Sequence, residues 1–345
     1  MLENKPVILA LTDGKAGHET QTQGLIQVLN QSNDYLVEWL DIRLPSKWHY
    51  KFLRFLISYS RNENWLKYFF NQQQLSLISK RPIRYIVSSG GNTLVANVLL
   101  KTYLSKRQLV QNIVASSLRG VPAYFFDAVL TIHAEQKEVT PYVYYPIAPN
   151  KMTANPLTQA QAREHLGILK SEITIGILIG ADTKTIKIGS ASTWGKILLS
   201  IRNQYPDARL VLTTSRRSSI AFEKELEEFI NQHQLFSALD KTVWVAQGMS
   251  CDVQDFIKAA DWVLASSDST SMIAEVVMAE KKLLVVRAEK ILDSAVQKQL
   301  KYLQEQKQLM QCDLDQINEV SVHLQNIQVQ AHTKKFHHVL NKQLA

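Results

Sequence analysis

Residues 262–276 read Trp262-Val-Leu-Ala-Ser-Ser-Asp-Ser-Thr-Ser-Met-Ile-Ala-Glu-Val276. An apolar strand, Trp262–Ala265, runs straight into a hydroxyl-rich turn, and a helix over Ser271–Ala279 follows. Ser267, Ser269, Thr270 and Ser271, with Asp268 among them, gather where the first N–H groups of the helix lack partners and its dipole is positive. That combination makes an anion site. Glu275, read as lying in the first turn, does not suit phosphates, but it can accept from the two hydroxyls of a ribose. Strand, phosphate turn and ribose carboxylate together point to a nucleotide-sugar site. The competing reading is an ordinary capped helix, because Ser and Asp are good N-caps anywhere.

The chain has 345 residues, too many for one compact core and enough for two domains. With 46% hydrophobic and 20% charged residues it has a globular composition. No window approaches the ~18–20 uninterrupted apolar residues of a membrane span. Val7–Thr12 follows Glu3 and Lys5 without a cleavage signature, so no signal peptide is expected. Cys251 and Cys312 lack paired spacing and imply neither a disulfide framework nor zinc, which fits a reducing compartment. A net charge of +8 suits nucleic acid, an anionic membrane surface or a phosphorylated ligand. Zinc-finger spacing and RNA-recognition signatures are missing, so no nucleic-acid partner is expected.

Outward from the opening stretch, strand and helix alternate twice. In the first half, strands are predicted at Val7–Leu11, Tyr35–Trp39, Arg84–Ser88, Asn112–Ser116 and Ala128–Thr131. A helix carries Leu25, Ile26 and Leu29, with Thr20 and Gln23 at capping-box spacing, and another spans Leu94–Tyr103. Pro141, Pro146, Pro149 and Pro156 mark an interdomain linker. The second half opens on a helix at Gln159–Gly167, and its strands are Ile173–Ile179, Ala208–Thr213, Val243–Ala246, Trp262–Ala265 and Leu283–Val286. Helices near Thr193–Gln204, Ala221–Gln232, Cys251–Ala259 and Ser271–Ala279 separate them. The chain from Leu292 reads as helical and Gln-rich. The fold class is α/β, with two tandem doubly wound Rossmann-like domains over 1–150 and 151–330 and a helical tail over 331–345. Such domains leave an interdomain cleft, and ligands collect at strand carboxyl ends that face it.

Three further loops carry candidate chemistry. Thr12-Asp-Gly-Lys-Ala-Gly-His-Glu19 joins the first strand to a helix, with Gly14 and Gly17 letting the backbone turn. His18 suits removal of a proton from an attacking hydroxyl near neutral pH, and Asp13 is the rival base, with Glu19 next. Lys15 lies beside them, and the competing reading is a solvated connecting loop. Ser88-Ser-Gly-Gly-Asn-Thr93 is a second small-residue turn; Gly90, Gly91 and Asn92 offer acceptor contacts or simply start a helix. It lacks the Lys-Ser/Thr pair of a Walker loop. Thr213-Thr-Ser-Arg-Arg217 ends a strand with hydroxyls at Thr214 and Ser215 and guanidiniums at Arg216 and Arg217, suited to a diphosphate or to plain solvation. Gly180 ends the first strand of the second series and lets a ligand approach the backbone.

The stretch 48–70 interleaves bulky apolar residues with Lys51, Arg54, Arg61 and Lys67, and Lys47 precedes it. It reads equally as an interfacial helix on an anionic bilayer and as a helix packed on the sheet with its basic stems reaching out.

The loop at 12–19, the run Thr213–Arg217 and the stretch Ala260–Glu275 together resemble the bacterial members of the mitochondrial-fission "elongated mitochondria" protein family. The pattern of that family is similar to glycosyltransferases of the two-Rossmann GT-B type. The loop at 14–19 is similar to the Gly-Gly-His loop of lipid-linked peptidoglycan glycosyltransferases, where a histidine faces the acceptor. Two segments depart from the family's pattern, Gly180–Lys184 and Gln247–Asp252, both where a donor base or sugar would bind. The resemblance thereby puts Gln247, Gly248 and Met249 on the donor side, and Gly14, Lys15, Gly17 and Glu19 on the acceptor side.

The resemblance implies a glycosyltransferase that moves a sugar from a nucleotide-sugar donor to a lipid-linked or lipopolysaccharide-core acceptor. Such an enzyme would be cytoplasmic, peripheral on the inner face of the membrane. No cofactor is expected, since the nucleotide sugar is a co-substrate, and Lys15, Arg216 and Arg217 take the place of a metal. Inversion is expected, because Leu283 stands where many retaining GT-B enzymes place a second carboxylate eight residues after the first. One alternative is a membrane-associated scaffold that recruits a membrane-remodelling partner. Another is a nucleotide-sugar epimerase using NAD, disfavoured because the first loop lacks a full Gly-x-Gly-x-x-Gly turn.

Overall fold

The computed structural model describes all residues except Met1–Asn4, Ser32, Asn33, Arg43, Pro45, Ala154 and Ser171; Glu3 thus lies outside the described residues. For residues 294, 295 and 314–316 only the backbone is described. The chain forms two units, Met1–Asn155 with His332–Ala345, and Pro156–Ala331.

In the first unit six strands, β1 (Val7–Thr12), β2 (Leu36–Asp41), β3 (Ile83–Ser89), β4 (Gln111–Ala115), β5 (Ala128–Thr131) and β6 (Tyr142–Tyr144), pair in the order β2-β1-β3-β4-β5-β6. All pairs are parallel. The connections include α1 (Ala16–Leu29), α2 (Lys47–Ile57), α3 (Gln72–Ser79) and α4 (Leu94–Leu104). Central β1 and β3 are buried along almost their whole length because both sheet faces are covered. Edge strand β2 alternates half-buried and exposed residues instead.

The second unit opens with α5 (Gln159–Leu166). Its chain then runs through β7 (Thr174–Leu178), β8 (Ile186–Lys187), α6 (Ala191–Gln204), β9 (Arg209–Thr213), α7 (Ile220–Gln232), β10 (Lys241–Val243) and α8 (Val253–Ala259). It continues through β11 (Trp262–Ser266), α9 (Thr270–Met278), β12 (Lys282–Val286), β13 (Lys290–Ile291), α10 (Ser294–Glu305), β14 (Met310–Cys312) and α11 (Val320–Gln325). The main sheet has the order β10-β9-β7-β11-β12-β14, and β8 pairs with β13 antiparallel. This is a doubly wound, Rossmann-like order, with the switch point between β7 and β11; in the first sheet the switch falls between β1 and β3.

Several sequence expectations are corrected. Thr20 does not cap α1: the helix begins at Ala16 after Gly14 turns the chain at φ 74°, and the Thr20 hydroxyl donates to Ala16 O instead. The proline-rich stretch is not a linker throughout, since β6 lies within it and Asn150 packs against Gly24 of α1. The strand expected at Val243–Ala246 ends at Val243. The C-terminal region is not continuously helical, because β14 interrupts it with the edge strand of the second sheet. The last helix, α12 (His332–Leu344), is part of the first unit and buries Phe336, Leu340 and Leu344.

At the start of α12, His332 is buried; its Nδ1 lies 2.8 Å from the Tyr145 hydroxyl, and Phe336 stacks on the Tyr145 ring. Burial, with a smaller push from Lys335, lowers the imidazole to about 4. In an unfolded chain the ring titrates near ~6.5. As pH falls through that window the unfolded chain takes up a proton that the folded one refuses, so stability present at neutral pH is lost. The loss is on the order of 3 kcal/mol. Urea titrations of the parent should show stability declining between about pH 6.5 and 4, and His332→Gln should flatten that decline. Equal slopes in the two proteins would place the pH sensitivity elsewhere.

Candidate functional site

The turns at the two switch points hold most of the residues singled out in the sequence. In the first unit, β1 is followed by Asp13 and Gly14, and β3 by Gly90–Asn92. The Asp13 side chain is 1% exposed, and its carboxylate collects three groups. His18 Nδ1 lies 2.8 Å from Oδ1, Asn92 Nδ2 donates to Oδ2 at 2.9 Å, and Lys15 Nζ is 3.5 Å from Oδ2. A carboxylate oxygen accepts, so Nδ1 supplies the proton of the His18 bond, which in the neutral ring leaves the lone pair on Nε2. Among the described residues Nε2 has no hydrogen-bond partner, and the His18 side chain is 29% exposed. Asp13 therefore orients His18 and holds the loop.

Glu19 accepts from Thr12 Oγ1 at 2.6 Å, and that hydroxyl accepts from Gly14 N, so Glu19 closes the turn onto α1. Gly90 has φ 90°, and a Cβ there would fall 2.1 Å from His18 Nδ1; the imidazole rests on that backbone. Gly91 is covered by the Arg119 side chain and receives Arg54 Nη1 on its carbonyl at 3.1 Å. By contrast, the space where a Gly17 Cβ would stand is open to 4 Å.

In the second unit, Gly180 after β7, Thr214–Arg217 after β9 and Ser267–Asp268 after β11 lie at the carboxyl ends of three adjacent strands. The buried Asp268 accepts from Ser266 Oγ at 2.5 Å, Ala181 N at 3.1 Å and Arg217 Nη2 at 3.0 Å. Gly180 N donates to Ser266 Oγ at 2.7 Å, and a Cβ on Gly180 would fall 1.9 Å from Asp268 Oδ1. These bonds tie the three turns together.

Several hydroxyl oxygens also accept from backbone N–H groups nearby. Ser267 Oγ accepts from Ala288 N, Ser269 Oγ caps α9 by accepting from Met272 N, and Ser215 Oγ accepts from Arg217 N. The Thr214 hydroxyl donates to Glu223, which is fully buried and also accepts from Ala246 N at 2.9 Å and Gln247 N at 3.0 Å. Glu223 was missed in the sequence; its signal is an acid in the first turn of a helix that follows a strand end.

Gln247 and Gly248 close the turn after β10, and Met249, which follows it, is exposed. Thr270 is half-buried, and Ser271 and Arg216 are exposed; among the described residues Arg216 has no ion pair. Glu275 sits in the second turn of α9, not the first, because the helix starts at Thr270; it is half-buried.

In α2, Leu53 and Ile57 are buried in the core, while Trp48, Phe52 and Phe55 are each more than 60% exposed at spacings of one helical turn, as is Tyr59 just past the end of the helix.

The glycine geometry is testable. Gly90→Ala combines a clash against the His18 ring with a positive φ, and should lower stability by about 1–3 kcal/mol. Gly17→Ala meets no neighbour within 4 Å, and its helical position should keep stability equal or slightly higher. Calorimetric melting of the two variants separates these cases; identical melting temperatures would contradict the packing described.

Among solved structures, a UDP-GlcNAc 2-epimerase from Methanocaldococcus jannaschii is similar over 98% of this chain and 99% of that one, at 12% identity and a TM-score of 0.51. MurG from Acinetobacter baumannii (11% identity, 98% and 95% coverage, TM-score 0.45) and Phytolacca americana UGT2 complexed with UDP-2fluoro-glucose and pterostilbene (10%, 98% and 94%, 0.47) are less alike. At such identities the likeness concerns fold alone. No curated protein sequence matches the chain. The family model described as Mitochondrial fission ELM1 matches residues 16–333, and the chain belongs to that family.

Proposed function

We propose that the protein is a glycosyltransferase in which the second unit holds a nucleotide-sugar donor and His18 of the first unit activates an acceptor hydroxyl. The observation that carries this reading is the Asp13–His18 pair, with Nδ1 fixed at 2.8 Å by a buried carboxylate and Nε2 open. In the step proposed, the acceptor O–H proton passes to His18 Nε2 as the oxygen bonds to the sugar's anomeric carbon. The bond from that carbon to phosphate breaks, and the nucleoside diphosphate leaves with the electron pair. One base and a single displacement invert the anomeric centre. Asp13 is a positioning residue here, since its oxygens are already engaged.

On the donor side, Arg216 and the N-terminal dipole of α9 are proposed to balance the leaving diphosphate without a divalent cation. Thr270 and Ser271 are the hydroxyls nearest that end for phosphate contact. Glu275 is proposed for the ribose, and Gln247–Met249 for the base. Arg217, Thr214, Ser215, Ser267, Asp268 and Ser269 hold these turns in shape through the bonds described. The relatives' fold serves both transfer and epimerisation, so fold does not choose between them; a poised base with an open nitrogen favours transfer to a hydroxyl.

The acceptor proposed is lipid-linked or of the lipopolysaccharide-core kind, met at an anionic membrane surface. The support is α2, whose exposed aromatics carry Lys47 and Lys51 beside them, with Lys51 Nζ 5.1 Å from the Trp48 ring. No helix among the described residues is long and apolar enough to cross a membrane. The same surface also suits a scaffold that recruits a membrane-remodelling partner, and the site variants distinguish the two.

His18→Ala should leave donor affinity near the parent value and reduce turnover by about 10²–10⁴-fold. Asp13→Asn should reduce it too, by freeing the ring. Undiminished turnover in both variants, measured as nucleoside diphosphate release with acceptor, would refute the base assignment; a cell function indifferent to His18 would favour the scaffold. Replacing Trp48, Phe52 and Phe55 by Ser should release the protein from anionic vesicles, and parent binding should weaken as salt rises. Parent protein that ignores such vesicles at low salt would remove the membrane from this reading.

A further inference from the structure

Two guanidiniums meet at one peptide in the first unit. Arg54 points inward from α2 and donates from Nη1 to Gly91 O at 3.1 Å. Arg119 lies over the same residue: a Cβ on Gly91 would fall 2.4 Å from its Cδ and Nε. Its backbone holds φ 48°, a left-handed value that costs a non-glycine residue about 1 kcal/mol or more. Among the described residues neither guanidinium is paired with a carboxylate, although the protein pairs Arg81, Arg163, Arg202 and Arg209 with acids elsewhere. Burial lowers the pKa of Arg54, and the charge of Arg119 lowers it further. Like charges brought together in this way repel, and an anion between them would remove the cost.

The place matters as much as the charge. Gly91 follows Gly90, on which the His18 ring rests. Arg119 also rims a cavity of about 520 Å³ lined by Gln21, His133, Gln136, Tyr145 and Phe336. Gln21 lies one turn along α1 from His18, so cavity and base share a helix face. Arginine forks match phosphate oxygens in paired hydrogen bonds.

We propose that Arg54 and Arg119 hold a phosphate group of the acceptor beside the hydroxyl that His18 deprotonates, with the cavity taking the adjoining part of that molecule. This rests on the first unit being the acceptor side. Calorimetric titration of the full chain with inorganic phosphate, and with a polyprenyl phosphate in detergent micelles, tests it. Arg54→Gln and Arg119→Gln should each weaken both probes at least tenfold, Arg119→Lys should restore part of the affinity, and Lys196→Gln, at an exposed position of α6, should change neither.

Tighter binding of the polyprenyl phosphate than of inorganic phosphate supports the site with a lipid-borne source, and equal binding supports it with a soluble phosphoester. Phosphate affinity that survives both glutamine variants, or that is lost in Arg216→Gln alone, overturns the proposal. The wider reading fails separately: phosphate affinity that depends on Arg54 and Arg119 while His18→Ala keeps full turnover would leave the anion site standing and remove the base.

Discussion

Each sheet places its first strand in the interior, and the chain leaves the two strands at the switch point in opposite directions. The turns there diverge over a buried strand end, and their backbone groups must find partners inside the protein. Both units meet that demand with a buried aspartate. Asp13 follows β1 and reaches Asn92 after β3, and Asp268 follows β11 and reaches the Ala181 peptide after β7 and Arg217 after β9. A carboxylate buried without such partners costs several kcal/mol. The arrangement of His18, Gly90 and Gly180 around those carboxylates follows from that requirement.

The same frame sets which side chains are free to act. In the second unit Ser267, Ser269 and Ser215 accept from backbone N–H groups, while Arg216 is exposed beside them. In the first unit the Asp13 oxygens are spent on holding His18 and Asn92, and one imidazole nitrogen is left over. Helix α2 connects that centre to the surface. Its aromatic stripe is exposed, while Arg54 on its inner side contacts the Gly91 carbonyl next to the His18 seat.

Much of the fold was legible because apolar runs such as Val7–Leu11 and Trp262–Ala265 end at small or polar residues, which fixes strands and the turns after them. The strands that went unread are short: Tyr142–Tyr144 sits among prolines, Met310–Cys312 interrupts a helical pattern, and Ile186–Lys187 pairs with Lys290–Ile291 over two residues each. Three-residue strands carry too little periodicity to stand out. The switch-point turns were found as motifs, but their internal bonding was not. Nothing local marks Asp268 as a partner of Arg217, a contact that spans 51 residues, and the acid at the start of α7 does not by itself name Thr214 and Gln247 as its donors. Arg119 was overlooked for the same reason, since its role appears only when Gly91 is brought beneath it.

The orientation of the His18 ring tests the central claim most directly. Long-range nitrogen–proton NMR correlations of the imidazole, recorded above its titration midpoint, report which nitrogen holds the proton. The account predicts a protonated Nδ1, bonded to Asp13, and a lone pair on Nε2, with the preference weakened in Asp13→Asn. A proton resident on Nε2 in the parent protein would contradict it, because the nitrogen offered to the acceptor would then have no capacity to take a proton.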